Sequence, residues 1–127
     1  MSGYLLIACG GALGAMGRFG ASTILGRMLP SGFPFAILLV NIAGSVAMGL
    51  LVGSLVRWSP SWAEEARLFA AVGVLGGFTT FSSFSLDTLT LIERGALLQA
   101  ALYVLASVAV SVAGLYLGLL VTRGSLT

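Results

Sequence analysis

Glycine and hydroxyl residues are concentrated in one short stretch of this chain, which reads GGFTTFSSFS over positions 76–85. The stretch lies in the middle of a segment that is long and apolar enough to cross a membrane. Each glycine lowers helix stability by about 1 kcal/mol relative to alanine, and threonine and serine hydroxyls offer the backbone alternative hydrogen bonds. We therefore predict a helix that breaks near positions 77–80, within 76–82, and restarts around Ser82.

A break at this depth would be suited to binding ions. Unwound backbone inside a membrane survives only where it is buried in protein or lines a polar cavity. Its carbonyl oxygens and amide hydrogens are the groups with which broken helices hold ions. The alternative is a kinked helix whose threonine and serine side chains bond back onto their own turn. Two glycines, two threonines and three serines within ten residues favour the break and predict an ion site.

The residue types that are missing argue against most other chemistry. The chain has no histidine and no lysine, and its single Cys9 lies in an apolar run. Because histidine is the commonest metal ligand and the usual general base near neutral pH, an enzyme is the least expected class. Disulfides and thiolate metal sites are not expected, and Cys9 is interpreted as a small packing residue. Six arginines spread along the chain form no basic patch, so no nucleic-acid partner is predicted.

The composition indicates the elements that must position the ion site. Charged residues make up only 8% of the chain, whereas soluble domains carry about 25%. The sequence therefore predicts an all-α integral membrane protein surrounded by lipid, and its first apolar run is too long for a signal peptide. We predict one four-helix domain over residues 1–127, with spans at about 3–26, 35–56, 65–94 (broken at 76–82) and 96–122.

Polar residues on the other spans have two interpretations each. Asn41 in the uncharged second span either joins two helices by a side-chain hydrogen bond or donates amide hydrogens into a polar path. On the fourth span, Tyr103, Ser107 and Ser111 follow one another at intervals of four residues, so they lie on one face of the helix. This face either packs closely against another helix or lines an ion path with hydroxyl groups. Arg18 follows a stripe of glycines on the first span and either snorkels to the interface or pairs with a carboxylate.

The second half of the third span carries one acidic residue on a polar face. Ser83, Asp87, Thr90 and Arg94 share that face by spacings of three and four. An ionised and unpaired Asp87 would be costly inside a membrane, so we expect a partner, with the arginines at a helix end as the obvious candidates. The helix itself should end at Gly95, a natural cap.

The arginines give little preference for one orientation. With four spans, Arg57, Arg67 and Arg123 fall on one side of the membrane, against Arg27 and Arg94 on the other. Because this asymmetry sets orientation, the sequence is compatible with insertion both ways up. Four short helices also leave polar faces without a partner, which favours a homodimer. In an antiparallel pair the broken helices would meet at the midplane.

These motifs resemble those of the small fluoride channels called Fluc. The resemblance rests on the 76–85 run, on GALGA at positions 11–15 leading to Arg18, and on Val40-Asn41, and it covers the whole chain in length, span count and motif order. It implies an antiparallel, dual-topology homodimer in the cell inner membrane, with two pores through which fluoride leaves passively, giving fluoride resistance. It also implies a structural sodium ion at the dimer centre.

The resemblance also implies roles for individual residues. Asn41 would line the pore, and Phe81 and Phe84 would present ring edges to fluoride. The backbone carbonyls of Gly76 and Thr79 would hold the sodium. The remaining positions assigned to the ion pathway are Thr80, Ser83, Asp87, Tyr103, Ser107, Ser111 and Arg18. The family pattern implies a glutamate where this chain has Asp87, and the shorter side chain is expected to alter conduction rather than selectivity.

Two other classes remain open at this level. A small dual-topology, proton-coupled exporter of drugs or cations would need a membrane carboxylate, and Asp87 is the only candidate. A structural subunit without transport of its own would need only the small-residue stripes, and the hydroxyl-rich break would then serve no purpose.

Overall fold

Four membrane-spanning helices, the third of them broken, make up the described part of the chain. The structure is a computed structural model, and it describes residues 2–123. The helices are α1 (Gly3–Met28), α2 (Phe35–Trp58), the two halves of the third span, and α5 (Leu97–Arg123). All four spans are long and apolar enough to cross a membrane. The prediction of an all-helical, multi-pass membrane protein is therefore confirmed.

The third span consists of two unequal halves. The first, called α3 here, covers residues 63–78 and contains a π-helical stretch, Arg67–Leu75, between the α-helical turns Ala63–Ala66 and Gly76–Phe78. The second, α4, is the α-helix Phe81–Glu93. Thr79 and Thr80 between them are extended, with ψ angles of 155° and 122°.

The helix ends follow local sequence signals. The Ser2 hydroxyl accepts a hydrogen bond from the amide of Leu5 at 3.2 Å, which caps α1. At the end of α4, Gly95 takes a left-handed φ of 80°, as the predicted cap requires, and its amide donates to the carbonyl of Ile92 at 2.9 Å. This cap turns the chain back so that α5 runs alongside α4.

Glycines allow α1 to pack closely against α3. A Cβ atom on Gly77 would lie 2.6 Å from the carbonyl oxygen of Gly11, a distance that side chains do not tolerate. The backbone of α1 around Gly11 therefore lies directly against α3. Small residues commonly allow such close contact between membrane helices. A second close pair forms between α2 and α5, where a Cβ atom on Gly118 would lie 2.7 Å from the carbonyl oxygen of Val46.

The buried core lies where α4 meets α2 and α5. Leu38, Leu91, Ala100 and Tyr103 form it, and Tyr103 is fully buried. Phe33, Ile42 and Phe84 pack against this group. The core places α4 so that its first turn faces the middle of α2 and of α5.

Candidate ion-conduction site

The predicted break in the third helix is present, but it is narrower than positions 76–82. Gly76 and Gly77 remain helical, and only Thr79 and Thr80 leave the helix. The glycines were expected to break the helix because they weaken it. Gly77 is instead needed for the close approach to α1, and the unwinding falls on the two threonines that follow.

The Thr80 side chain starts the second half of the span. Its hydroxyl oxygen accepts a hydrogen bond from the amide of Ser83 at 3.1 Å and lies 3.2 Å from the hydroxyl of Ser82. Threonine in this position satisfies an amide that a helix start leaves free. The Ser83 backbone thereby helps to position the break, although its side chain does not line the cavity described below.

Asn41 holds the break from α2. Its Oδ1 atom accepts from the Thr80 amide at 2.8 Å, and its Nδ2 atom donates to the Thr80 carbonyl at 3.1 Å. The side chain thus pairs with both backbone groups of one unwound residue. Because only one of its two amide hydrogens is used in this pair, the other remains available to a ligand. The two interpretations of Asn41 left open by the sequence are compatible with each other in this geometry.

A cavity of about 300 Å³ opens beside the break, and we call it the main cavity. Its walls come from α2, from the break with the first turn of α4, and from α5. The lining residues are Asn41, Gly44, Ser45, Met48, Thr79, Thr80, Phe81, Phe84, Ser107, Val108, Ser111 and Leu115. The structure therefore brings together most of the predicted pathway residues in one place.

Two hydroxyl groups in the main cavity lack protein partners. The Oγ atoms of Ser107 and Ser111 are buried, and neither has a hydrogen-bond partner within residues 2–123. Buried polar atoms are nearly always paired with protein, water or a ligand. These two hydroxyls are therefore available to whatever occupies the cavity.

Two phenylalanines form the aromatic part of the main cavity. The ring centroids of Phe81 and Phe84 lie 5.4 Å apart, with planes tilted by 49°. Phe84 is half-buried against Tyr103, whereas 77% of the Phe81 surface is exposed. Phe81 is the first residue of α4, and the rest of the chain leaves most of its ring uncovered. The ring is therefore available for contact with a second molecule.

The partner of Asp87 is a tyrosine, and the prediction of an arginine was wrong. The Tyr103 hydroxyl donates to Oδ2 of Asp87 at 3.0 Å. Arg94, two turns further along the same face, donates instead to the carbonyl oxygen of Gly32 at 2.9 Å. Within residues 2–123 the one ion pair joins Arg67 to Glu64 at 2.7 Å, at the start of α3. Tyr103 reaches Asp87 because α5 packs beside α4, a tertiary contact that spacing along one helix does not reveal.

Arg18 lies outside the main cavity. It is partly buried on α1 and forms no ion pair with a described carboxylate, so the alternative in which it pairs with a carboxylate finds no support. Conversely, the sequence interpretation gave no role in the ion pathway to Gly44, Ser45 and Met48, which line the cavity. They follow Asn41 by three, four and seven residues, which places them close to its side of the helix.

The two carbonyl groups assigned to sodium have both lost their helical donors. In a continuous helix, the oxygens of Gly76 and Thr79 would accept from the amides of Thr80 and Ser83. Those amides donate to the side chains of Asn41 and Thr80 instead. The break therefore leaves two backbone oxygens without the amides that would normally satisfy them.

Comparison with known proteins shows similarity along almost the full chain. Residues 5–119, which include every residue of the main cavity, match the family described as CrcB-like protein, Camphor Resistance (CrcB). A protein of Hyphomonas neptunium, named fluoride-specific ion channel FluC, is 50% identical over 123 residues, 97% of each chain. Proteins of the same name from Rhodospirillum centenum and a Chelativorans species are 51% and 52% identical over 124 residues, covering 97% of this chain and 97% and 98% of theirs.

Proposed function

The chain belongs to the CrcB-like family, whose relatives are named as ion channels rather than enzymes, and from this membership we propose that it is a fluoride-selective channel. Fluoride would cross by passive electrodiffusion and leave the cell across the inner membrane, giving fluoride resistance. The observation that supports the proposal is the main cavity, which is lined by Ser107 and Ser111, whose hydroxyls have no partner within residues 2–123, together with Asn41, Phe81 and Phe84.

Selectivity follows from the hydrogen-bond donors around the cavity. Fluoride is small and strongly hydrated, so a selective path must replace its water with short hydrogen bonds. The second amide hydrogen of Asn41 and the two free serine hydroxyls supply such donors without a full positive charge. Neutral donors bind the ion weakly enough for it to leave again, which conduction requires.

The aromatic rings extend the pathway past the break. Ring edges carry partial positive charge, so the edges of Phe81 and Phe84 attract an anion without trapping it. Thr80 joins these rings to the polar wall, since it lines the same cavity and its backbone is held by Asn41. Beyond Phe84, the pathway continues to the Tyr103 hydroxyl and Asp87.

The proposal includes a structural sodium ion at the break. The carbonyl oxygens of Gly76 and Thr79 fit this role. The amides of Thr80 and Ser83, which would donate to them in a continuous helix, donate to side chains instead. Oxygen ligands of unwound backbone are those with which broken membrane helices hold sodium. When bound, the ion supplies positive charge at the break. It also binds the carbonyl oxygens, to which lipid tails offer no hydrogen bonds.

A second copy of the chain, in antiparallel orientation, completes the channel in this proposal. Gly76 is exposed on the surface of the single chain, and so is most of Phe81. Backbone carbonyls without donors are not left facing lipid in the middle of a membrane. A homodimer whose two breaks meet covers these groups and doubles the carbonyl oxygens available to one sodium ion.

Fluoride efflux from liposomes tests the proposed function directly. The purified protein is reconstituted in vesicles loaded with fluoride, and release is followed with a fluoride electrode beside a chloride control. We expect fast loss of fluoride and no loss of chloride. A well-folded dimer that releases neither ion, or both at similar rates, would overturn the proposal.

A further inference from the structure

A second polar cavity lies at the other end of α4, beyond Asp87, where the pathway described so far ends. It has a volume of about 260 Å³, and we call it the outer chamber. The turn between α1 and α2 forms one side of it and the polar face of α4 forms the other. Its lining residues are Ser31, Gly32, Pro34, Asp87, Thr90, Leu91 and Arg94.

Three side chains in contact, Phe84, Tyr103 and Asp87, connect the main cavity to the outer chamber. Phe84 lines the main cavity, and its ring packs against Tyr103 with centroids 5.2 Å apart. The Tyr103 hydroxyl in turn donates to Asp87, which lines the outer chamber. The Tyr103 hydroxyl therefore lies between a residue of the main cavity and a residue of the outer chamber, along the direction that the proposed pathway takes.

The charges of the outer chamber are arranged to offset each other. A carboxylate on Asp87 repels an anion, so an anion path past it needs positive charge nearby. Among residues 2–123, Arg94 is the one cationic residue that lines the chamber, and it forms no ion pair with Asp87. Its guanidinium is held in place by donating one N–H to the Gly32 carbonyl at 2.9 Å. Since the group carries five N–H donors, the others remain free for an anion.

A second donor comes from Ser31, whereas Thr90 contributes none. The Thr90 hydroxyl hydrogen is used in a bond to the Leu86 carbonyl at 2.8 Å. The Ser31 side chain is exposed on the turn that lines the chamber. An arginine and a serine hydroxyl at the mouth of a small cavity form a donor set that recognises a small, hard anion.

We propose that the outer chamber is an anion-loading site in which Arg94, held against Gly32, gathers fluoride at the membrane surface and offsets the charge of Asp87. The inference rests on the proposed function, because it takes fluoride as the ion that crosses the main cavity. Arg94 acts before the ion reaches the main cavity, so it sets the fluoride concentration at which the channel saturates rather than its selectivity.

The test compares the fluoride dependence of the current in planar bilayers for the full chain and its variants. Replacing Arg94 by Gln should raise the half-saturating fluoride concentration about tenfold, the effect expected for loss of a charge-assisted hydrogen bond, while the maximal current changes much less. Arg94→Lys, which retains the charge, should stay near the wild-type value. A purely structural role would instead lower the number of active channels and leave the half-saturating concentration unchanged, and that result would overturn the proposal.

A second variant keeps the proposal testable if Arg94→Gln fails to assemble. Ser31→Asp adds a negative charge to the chamber and leaves the bond between Arg94 and Gly32 intact, so it should also raise the half-saturating concentration. Ser61→Asp, on the exposed turn at the other end of the helices, controls for general surface charge. Equal behaviour of these two variants would overturn the loading site. A wild-type protein that carries no fluoride would instead overturn the proposed function.

Discussion

The two halves of the third span, α3 and α4, differ in how they are held and in which groups they present. α3 is fixed by its backbone, because its glycines lie directly against those of α1. α4 is held more loosely by its own chain and presents hydroxyl, aromatic and carboxylate groups to two cavities. The contrast shows how a small membrane protein can keep polar groups at membrane depth. One half sets the position of the break, and the other half carries polar and aromatic groups that line the two cavities.

The largest expected effect comes from charging the amide that holds the break. Asn41→Asp places a carboxylate in the main cavity, and a like charge at 4 Å costs an anion about 4 kcal/mol at an effective dielectric constant of 20. Fluoride efflux should fall by roughly a thousandfold. The neutral variant Asn41→Ser is the control, since it weakens the hold on Thr80 without adding charge. Normal efflux through Asn41→Asp would remove Asn41 from the pathway.

Removal of sodium tests whether α3 and α4 need an ion between them. Exchanging sodium for N-methyl-D-glucamine during purification should weaken assembly, by about 2.7 kcal/mol if sodium was present at a hundred times its Kd. The measurement is size-exclusion chromatography after heating in each cation, which reports how much of the assembled protein survives. Equal stability in both cations would argue against an ion held by the carbonyls of Gly76 and Thr79.

The backbone contact of α3 is tested by adding one methyl group. Gly77→Ala should destabilise the protein by about 1–3 kcal/mol, because the new Cβ atom meets the Gly11 carbonyl. Gly20→Ala is the matched control, since a Cβ atom there has no neighbour within 4 Å. Melting temperatures report stability, and efflux from the surviving fraction should remain selective for fluoride. A stable Gly77→Ala protein would show that this contact is not tight.

The aromatic groups of α4 should affect conduction but not assembly. Phe81→Ile or Phe84→Ile removes a ring edge from the cavity. With an attraction for fluoride of the same size as that between two aromatic rings, about 0.5–1.5 kcal/mol, efflux should fall up to about tenfold. Phe19→Ile on α1 is the control, because Phe19 is equally apolar and 73% exposed. Undiminished efflux in both cavity variants, with normal assembly, would contradict a role for the rings in conduction.

The smallest effect is expected at Asp87. Asp87→Asn retains an oxygen that can accept the hydrogen bond from the Tyr103 hydroxyl. The rate of fluoride efflux should therefore stay within about threefold of wild type, a change of less than about 1 kcal/mol in the activation free energy. This variant also separates a channel from a proton-coupled exporter, which would need the carboxylate. Loss of proton-linked drug resistance in cells that carry Asp87→Asn, together with absent fluoride flux in wild type, would favour the exporter.

The sequence predicted the four spans and the break because both depend on local composition. Apolar runs of sufficient length predict the spans, and the cluster of hydroxyls and glycines predicts the break. The Gly95 cap was predicted for the same reason, since a left-handed residue after a helix favours glycine.

Features that depend on two helices at once escaped the sequence. Gly76 and Gly77 weaken a helix in isolation, yet the contact of Gly77 with α1 keeps them helical. Asp87 finds Tyr103 rather than an arginine because α5 lies beside α4. In the candidate site, Ser45 was given no role in the pathway, because its place in the cavity wall depends on how α2 lies against α4 and α5.

The hold of Asn41 on Thr80 has a consequence for how the chain enters the membrane. A backbone residue whose N–H and carbonyl are both paired by one side chain can leave the helix without exposing either group to lipid. Since α2 precedes the third span in the chain, that side chain is already in the bilayer when Thr80 arrives. We therefore expect the third span to unwind during biosynthesis, within one nascent chain and before any second copy is met.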